Sequence, residues 1–330
     1  MEAEYMYKIS SNHVTKMEPL TFAELDMQES DIEELLRQNI EMICDEEESM
    51  LIVGKQVKNA SQGRSDLTAV DNSGDIVLIE IKRDKRDIES RAEAFEFQAI
   101  RYAASYATIQ DPDDLVNKVY APYIEKYRHE FEDEYRSLTS VELGSRKLID
   151  FLEKNEVLNE FNQQQKVVLV ASDFDDQTLS AVSWLNKNGV NMSCYKLIPY
   201  KYDDDIVIHV DKLLPPSHYD DYYVDLIHSS SHAPTRKKGT RTPRRSLPRI
   251  KTMLEWGVIK PGDIIGAKDQ NDEGELLENG NILVNGIELT LNQWLKKVYR
   301  WSSVQTYAFA VHKESGKTLS QIRKEYMDEI

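Results

Sequence analysis

Three residues in this chain, Asp66, Glu80 and Lys82, have the types and spacing to do chemistry. The stretch RSDLTAV carries Asp66, the turn DNSGD follows at residues 71–75, and IVLIEIK then carries Glu80 and Lys82. Both stretches read as strands. Side chains alternate along a strand, so Glu80 and Lys82 share one face while Val77, Ile79 and Ile81 take the other, and that apolar face is expected to be the buried one. With an odd-numbered loop centred on Ser73, paired residues have numbers that sum to 146, which sets Asp66 opposite Glu80. Carboxylates so placed repel unless positive charge lies between them. Lys82 can supply part of it; a hard divalent cation such as Mg²⁺, which prefers carboxylate oxygens, supplies it better. A helix expected over about 88–108 adds Gln98 and Tyr102, which at i, i+4 share a face and line the same cleft. Acids, an ammonium and amide and hydroxyl donors around a metal ion suit hydrolysis of a phosphodiester.

The elements that must hold these residues can be read on either side. From Gln28 to Ile43 the apolar residues Ile32, Leu35, Leu36, Ile40 and Ile43 fall within about 140° of helical arc. Glu29 projects within that arc, Glu33 at its margin, and Glu34 and Glu41 on the far side. Ser30 followed by Glu33 also fits a capping box, which would set Glu29 just before the helix. Residues 1–25 read as an edge strand with a loop, and LIVGKQVK (51–58) as a strand, so the order is α-β-β-β-α. A polar, charged helical stretch from about 113 to 162 carries Tyr120, Tyr123, Tyr127 and Tyr135, a stripe suited more to packing than to base stacking. KVVLVA (166–171) has the brevity and β-branching of a buried strand. A helix over about 177–188, ended by Asn188-Gly189, and strands near 191–198 and 206–210 follow. Asp173, Asp175 and Asp176 sit at a strand end, where a second metal site is the alternative to the favoured reading, solvated loop acids that cap the next helix.

The pattern Asp66, thirteen residues, Glu80-Ile81-Lys82, then Gln98-x-x-x-Tyr102 resembles the PD-(D/E)XK nucleases with a QxxxY motif, in particular their NucS-like endonuclease branch. Ser65 stands where the family signature has Pro, a departure that removes no ligand. The opening E-x-D-I-x-x-L-L looks like the family's first helix, whose acid often completes the metal site; Glu29 is the preferred candidate over Glu33. A favourable meeting of an N-terminal acid with the helix dipole explains Glu29 equally well. The stretch SDFDDQTLSAVSWLNKNGVNMSCYKLIPY is also similar to the continuation in uncharacterised NucS-like proteins, so the likeness spans residues 1 to about 228. It implies an α/β fold: a restriction-endonuclease-like core, a mixed sheet flanked by helices, with a helical insertion at about 113–162. It further implies that Asp66, Glu80, Glu29 and the Ile81 carbonyl hold Mg²⁺ or Mn²⁺, that Lys82 orients water or stabilises charge, and that Gln98 and Tyr102 position the metal-bound groups or the phosphate.

Composition sets the outer bounds. The 330 residues are enough for two domains with their own cores. No apolar run approaches the ~20 residues that cross a bilayer, and the amino terminus lacks the apolar centre of a signal peptide, so a soluble cytoplasmic protein without membrane contact is expected. Cys44 and Cys194 are too few for a zinc site of their own and read as buried thiols. A net charge of −17 argues against non-specific coating of nucleic acid. One basic stretch stands out, Thr235 to Lys251, with Arg236, Lys237, Lys238, Arg241, Arg244, Arg245, Arg249 and Lys251 and no acid. It lies on a linker over 229–249 that could contact DNA phosphates or simply stay flexible.

Residues 250–330 read as a small α+β domain. Leu254-Glu255-Trp256-Gly257, Lys260-Pro261-Gly262-Asp263, the turn Glu278-Asn279-Gly280-Asn281, ILVNGIEL, LNQWLKKV and GKTLSQIR follow in an order that resembles the RAMA domain (restriction enzyme adenine methylation associated). That likeness implies recognition of modified DNA, with Trp294, Trp301 and Tyr307 as candidates to stack on or cage a methylated base, against core packing as the simpler use of the same rings. Gly316-Lys317-Thr318 is not a P-loop, because Val311 stands where its first glycine is needed. The seven histidines show no paired metal-binding spacing. A metal-dependent endonuclease directed by adenine methylation in restriction, defence or repair is the leading expectation, and a homodimer would suit double-strand cleavage. The rivals are a non-catalytic binder of modified DNA and a regulatory or assembly subunit.

Overall fold

Runs of β-branched residues bounded by Gly, Asn and Asp turns become the central strands, and the helices between them cover the sheet. The computed structural model describes residues 5–11, 13–58, 63–90, 93–131, 138–216 and 247–329. Contacts divide the chain into two units, Met1–Pro215 with Trp301–Ser303, and Pro216–Arg300 with Val304–Ile330. The expected linker, apart from residues 247–249, lies outside the described residues, as does the expected boundary at 228.

The first unit opens with a hairpin, β1 (Met6–Ser10) and β2 (His13–Met17), where an edge strand and loop were expected. Helix α1 (Glu29–Gln38) follows, with Ile32 and Leu36 buried. It starts at Glu29, because the Asp31 carboxylate accepts the Gln28 N–H at 2.7 Å; the Ser30–Glu33 capping box does not form. Strands β3 (Met50–Lys58), β4 (Arg64–Asp71) and β5 (Ile76–Ile81) pair antiparallel in turn. Gly74, at φ +80°, makes the β4–β5 turn, where a side chain would be strained. Strand β6 (Gln165–Ala171) runs parallel to β5, β7 (Asn191–Tyr202) parallel to β6, and β8 (Asp205–Leu214) antiparallel to β7. The result is a mixed six-stranded sheet in the order β3-β4-β5-β6-β7-β8, flanked by helices as expected for a nuclease-like fold. Because β5 is central, every residue from Ile76 to Ile81 is buried. The expectation that only its apolar face is buried therefore fails: the Glu80 face is covered too.

The helix expected over 88–108 is two helices, α2 (Lys85–Glu89) and α3 (Phe95–Tyr106), because the backbone of Ala94 is extended and the helical ladder restarts after it. The insertion consists of α4 (Pro112–Leu115), a π turn at Val116–Tyr120, α5 (Ala121–Lys126) and α6 (Ser140–Lys154). Tyr120 and Tyr123 are buried in it, so those two tyrosines pack; Tyr135 lies outside the described residues. Helix α7 (Asp176–Lys187) links β6 to β7 and is capped by Asp175, which accepts from Gln177 and Thr178 N–H, both at 2.9 Å. A short antiparallel bridge pairs Met50 with Ser303, and Trp301 packs edge-to-face on Phe151 of α6 at 4.7 Å.

The second unit is a six-stranded antiparallel sheet in the order β12-β11-β10-β9-β13-β14: β9 (Ile264–Ala267), β10 (Glu273–Leu276), β11 (Ile282–Val284), β12 (Ile287–Leu289), β13 (Ala310–His312) and β14 (Lys317–Thr318). Its helices are α8 (Ile250–Glu255), α9 (Leu291–Tyr299), α10 (Thr306–Phe309) and α11 (Leu319–Glu329). Gly316-Lys317-Thr318 forms a turn and short strand leading into α11. No helix among the described residues is long and apolar enough to cross a membrane.

Candidate active site

The β4–β5 register places the two acids. Leu67 pairs with Ile79, Thr68 with Leu78, Ala69 with Val77 and Val70 with Ile76, so the numbers do sum to 146 and Asp66 comes next opposite Glu80. Each carboxylate reaches across to the other strand's backbone. The Ile81 N–H donates to Asp66 Oδ2 at 2.7 Å, and the Asp66 N–H to Glu80 Oε1 at 3.3 Å. Glu80 Oε2 is buried and has no hydrogen-bond partner among the described residues.

Lys82 follows directly after β5, its N–H bound to the Val170 carbonyl of β6 at 2.8 Å. Only 1% of the residue is exposed, and its ammonium is held by Glu29 Oε1 at 3.1 Å and the Ile81 carbonyl at 2.5 Å, with Asp66 Oδ2 at 3.9 Å. The Phe95 ring of α3 lies 5.3 Å from it, a distance at which the ring face attracts a cation. Helix α1 contributes both of its candidate acids. Glu29 starts the helix and Glu33 comes one turn later on the same face, so the sequence's choice between them does not arise. Carboxylate oxygens of Glu29, Glu33 and Asp66 all lie within 4.8 Å of one another.

Gln56 was not singled out from the sequence. Its amide donates to Glu33 Oε1 at 2.7 Å and to Asp66 Oδ1 at 3.2 Å, which ties α1 to the hairpin. It has φ +55°, rare for a residue with a side chain, and follows a bulge at Ile52/Gly54. A Cβ on Gly54 would stand 2.8 Å from Val119, so the strand needs glycine there. The visible hint was a glycine followed by Lys55-Gln56, interrupting an apolar strand.

Burial and like charge dominate the electrostatics. Glu29 and Asp66 lie within 4 Å of the buried Lys82 ammonium and Glu80 interacts with it, while Glu33 faces Asp66, Glu29 and Lys55. Lys55 stands 3.9 Å from Glu33 but pairs more closely with Glu34, at 2.7 Å. Burial, then Asp66, push the Glu33 carboxyl up to about 7. The same causes in the same order push Glu80 well above the carboxylate range, with Lys82 opposing. Such a cluster calls for further positive charge, and its donors are the hard oxygens that Mg²⁺ and Mn²⁺ take. The unpartnered Glu80 oxygen and the convergence of the other three acids fit a divalent cation.

Gln98 and Tyr102 meet one another, Gln98 Nε2 donating to Tyr102 Oη at 3.4 Å. Tyr102 Oη also accepts the Arg64 N–H at 3.1 Å, which anchors α3 at the first residue of β4. One turn on, Tyr106 Oη bonds Ser65 Oγ at 2.9 Å and Thr68 Oγ1 at 2.7 Å. Ser65, in the family's proline position, thus joins the α3–β4 contact. Asp84 is buried and accepts from Phe22 N–H, Ala23 N–H and Ser172 Oγ, a structural use of an acid close to the site in sequence.

The other candidates lie elsewhere. Arg236, Lys237, Lys238, Arg241, Arg244 and Arg245 fall outside the described residues. Trp294, Trp301 and Tyr307 are all buried. Trp301 lies on Phe151, while Tyr307 accepts the Ile250 N–H at 2.8 Å and has the Arg323 guanidinium over its ring at 4.3 Å. As placed, these rings serve packing.

No family model matches the chain, and no curated protein matches it. Among solved structures, one of an EndoMS–dsDNA complex is similar with a TM-score of 0.24 and 17% identity, covering 59% of this chain and 65% of that one. The chain thus spans just under two thirds of that chain's length.

Proposed function

We propose that the chain is a metal-dependent endonuclease that hydrolyses DNA phosphodiesters, with its centre at Asp66, Glu80 and Lys82. The observation that carries the reading is the convergence of Asp66 from β4 with Glu29 and Glu33 from α1, two of these acids lying at the buried Lys82, beside a Glu80 oxygen without a hydrogen-bond partner among the described residues. Asp66, Glu80 and Glu29, with Glu33 beside them and the Ile81 carbonyl, would hold Mg²⁺ or Mn²⁺. Such an ion, when bound, polarises a phosphoryl oxygen and lowers the pKa of an attacking water.

The protein's own groups then have distinct tasks. Asp66 is fixed by the Ile81 N–H and Glu80 by the Asp66 N–H, so both carboxylates are held in place before an ion or substrate arrives. The Lys82 ammonium offsets negative charge as it grows on the phosphoryl oxygens, and its burial strengthens that effect. Gln56 keeps Glu33 and Asp66 in register. Gln98 and Tyr102 hold α3 against the start of β4 beside the centre.

The RAMA-like segment gives the second unit the task of directing cleavage by adenine methylation. A cleavage assay on paired plasmids, one adenine-methylated and one not, with Mg²⁺ or Mn²⁺ and the Glu80→Ala protein alongside, tests both parts. Metal-dependent cutting that disappears in Glu80→Ala is expected, with unequal rates on the two plasmids. Cutting that persists in Glu80→Ala overturns the assigned centre, and equal rates overturn the directing role.

A further inference from the structure

We propose a second metal site, for Zn²⁺, in the second unit, formed by Asp263, His312 and Glu314. The sheet register builds it. Strand β13 pairs antiparallel with β9, with His312 opposite Ile265. Asp263 lies just before β9 and Glu314 in the turn after β13, and the Lys313 N–H bond to the Ile264 carbonyl at 2.9 Å draws that turn to the start of β9. The turn sets Glu314 and His312 beside Asp263. Their ligand atoms lie within 4.8 Å of one another.

Carboxylates this close destabilise each other unless positive charge joins them. The neighbouring lysines are engaged elsewhere, Lys313 with Glu273 at 3.4 Å and Lys317 with Glu325 at 2.7 Å. Asp263 Oδ2 accepts the Lys260 N–H at 2.6 Å, and beside it stands the His312 imidazole. His312 Nε2 is 3.2 Å from Asp263 Oδ2. Two ligands on a tetrahedral ion with bonds of about 2.0 Å stand about 3.3 Å apart, so this pair already has the spacing of a zinc edge. Two carboxylates balance the ion's charge, and the nitrogen favours a borderline ion such as Zn²⁺ over Mg²⁺.

The imidazole is also oriented for the task. Ser315 Oγ sits 2.9 Å from His312 Nδ1, in a turn closed by the Gly316 N–H to the His312 carbonyl at 2.9 Å. Nδ1 also accepts the Ser315 N–H at 3.4 Å while Nε2 faces Asp263; with Zn²⁺ on Nε2 the ring proton moves to Nδ1 and the Ser315 hydroxyl accepts it, as the outer partner of a metal-bound histidine. The ion would clip the β13–β14 turn to the start of β9, leaving a fourth position for water.

The test is a calorimetric titration of the full chain with Zn²⁺, run in an Asp66→Asn background that weakens the first unit's acid cluster, with both variants made in the same background so that any ion bound there is common to all. One ion per chain is expected, with affinity at least about tenfold weaker in both His312→Ala and Glu314→Gln. Glu314 is exposed, so its variant keeps the fold whatever His312→Ala does. Co²⁺ in place of Zn²⁺ should show the strong visible bands of a tetrahedral site, absent in both variants. Zn²⁺ bound equally by parent and Glu314→Gln, or no Zn²⁺ bound at micromolar concentration, overturns the proposal.

Discussion

Replacing Glu33 with Gln should stabilise the first unit in chelator-treated protein, and more at pH 8 than at pH 5. The groups facing Glu33 are Asp66 and Glu29 with like charge, Lys55 at 3.9 Å with opposite charge, and the Gln56 amide. Burial and Asp66 raise its carboxyl from 4.5 to about 7. A raised acid holds its proton more tightly in the folded chain than in the unfolded one. Its stabilising contribution is therefore complete below about 4.5 and is lost as pH rises through about 7. At about 1.4 kcal/mol per tenfold, the gap corresponds to about 3 kcal/mol. Relaxation of the neighbouring groups and residual solvent screening reduce it to about 1 to 2 kcal/mol. For a unit of this size that is about 2 to 8 °C in Tm. The glutamine still accepts the Gln56 amide, so the variant loses charge without losing that bond. Scanning calorimetry of both proteins in EDTA at pH 5 and pH 8 measures the difference. A gain no larger at pH 8 than at pH 5 would refute the reasoning, since it would mean that the ionised carboxylate meets no net repulsion. Mg²⁺ should then add more stability to the parent than to Glu33→Gln.

Three further outcomes are expected. Lys82→Met should lower the cleavage rate by about 10²- to 10³-fold while leaving DNA binding in a gel-shift assay within about twofold; full activity would remove Lys82 from the mechanism. Tyr106→Phe leaves Ser65 and Thr68 without their shared hydroxyl, and urea unfolding should show a loss of about 1 to 3 kcal/mol. Arg37→Met removes the guanidinium that Glu34 and Glu130 bond at 2.6 and 2.7 Å and takes a bond from Tyr123, leaving Glu34 its Lys55 partner; about 1 to 3 kcal/mol should be lost, with unchanged stability as the contrary result.

The difference between what was legible in the sequence and what was not follows the range of the interactions. The Asp66–Glu80 pairing depends only on a five-residue turn, and a turn centred on Ser73 allows one register, so the core of the candidate site could be derived from local pattern. Burial of the Glu80 face could not, because it depends on β6, some 85 residues further along the chain, and on helices whose docking leaves no periodic mark in β5. Gln56 was invisible for a related reason: its reach to Glu33 and Asp66 depends on a bulge and a positive φ, which the glycine before it only hints at. Trp301 makes the same point within its own unit. A ring that reads as a base-stacking candidate is fixed by Phe151, 150 positions earlier, while Ser303 pairs with Met50. Deleting residues 250–330 would therefore remove part of the first unit along with the second unit, and a loss of activity in that truncation would say nothing about methylation. The directing role has to be tested with point substitutions in a chain that keeps Trp301–Ser303. Asp263, His312 and Glu314 left no mark of this kind, because the first precedes the other two by more than 40 residues and only the pairing of β9 with β13 brings them together.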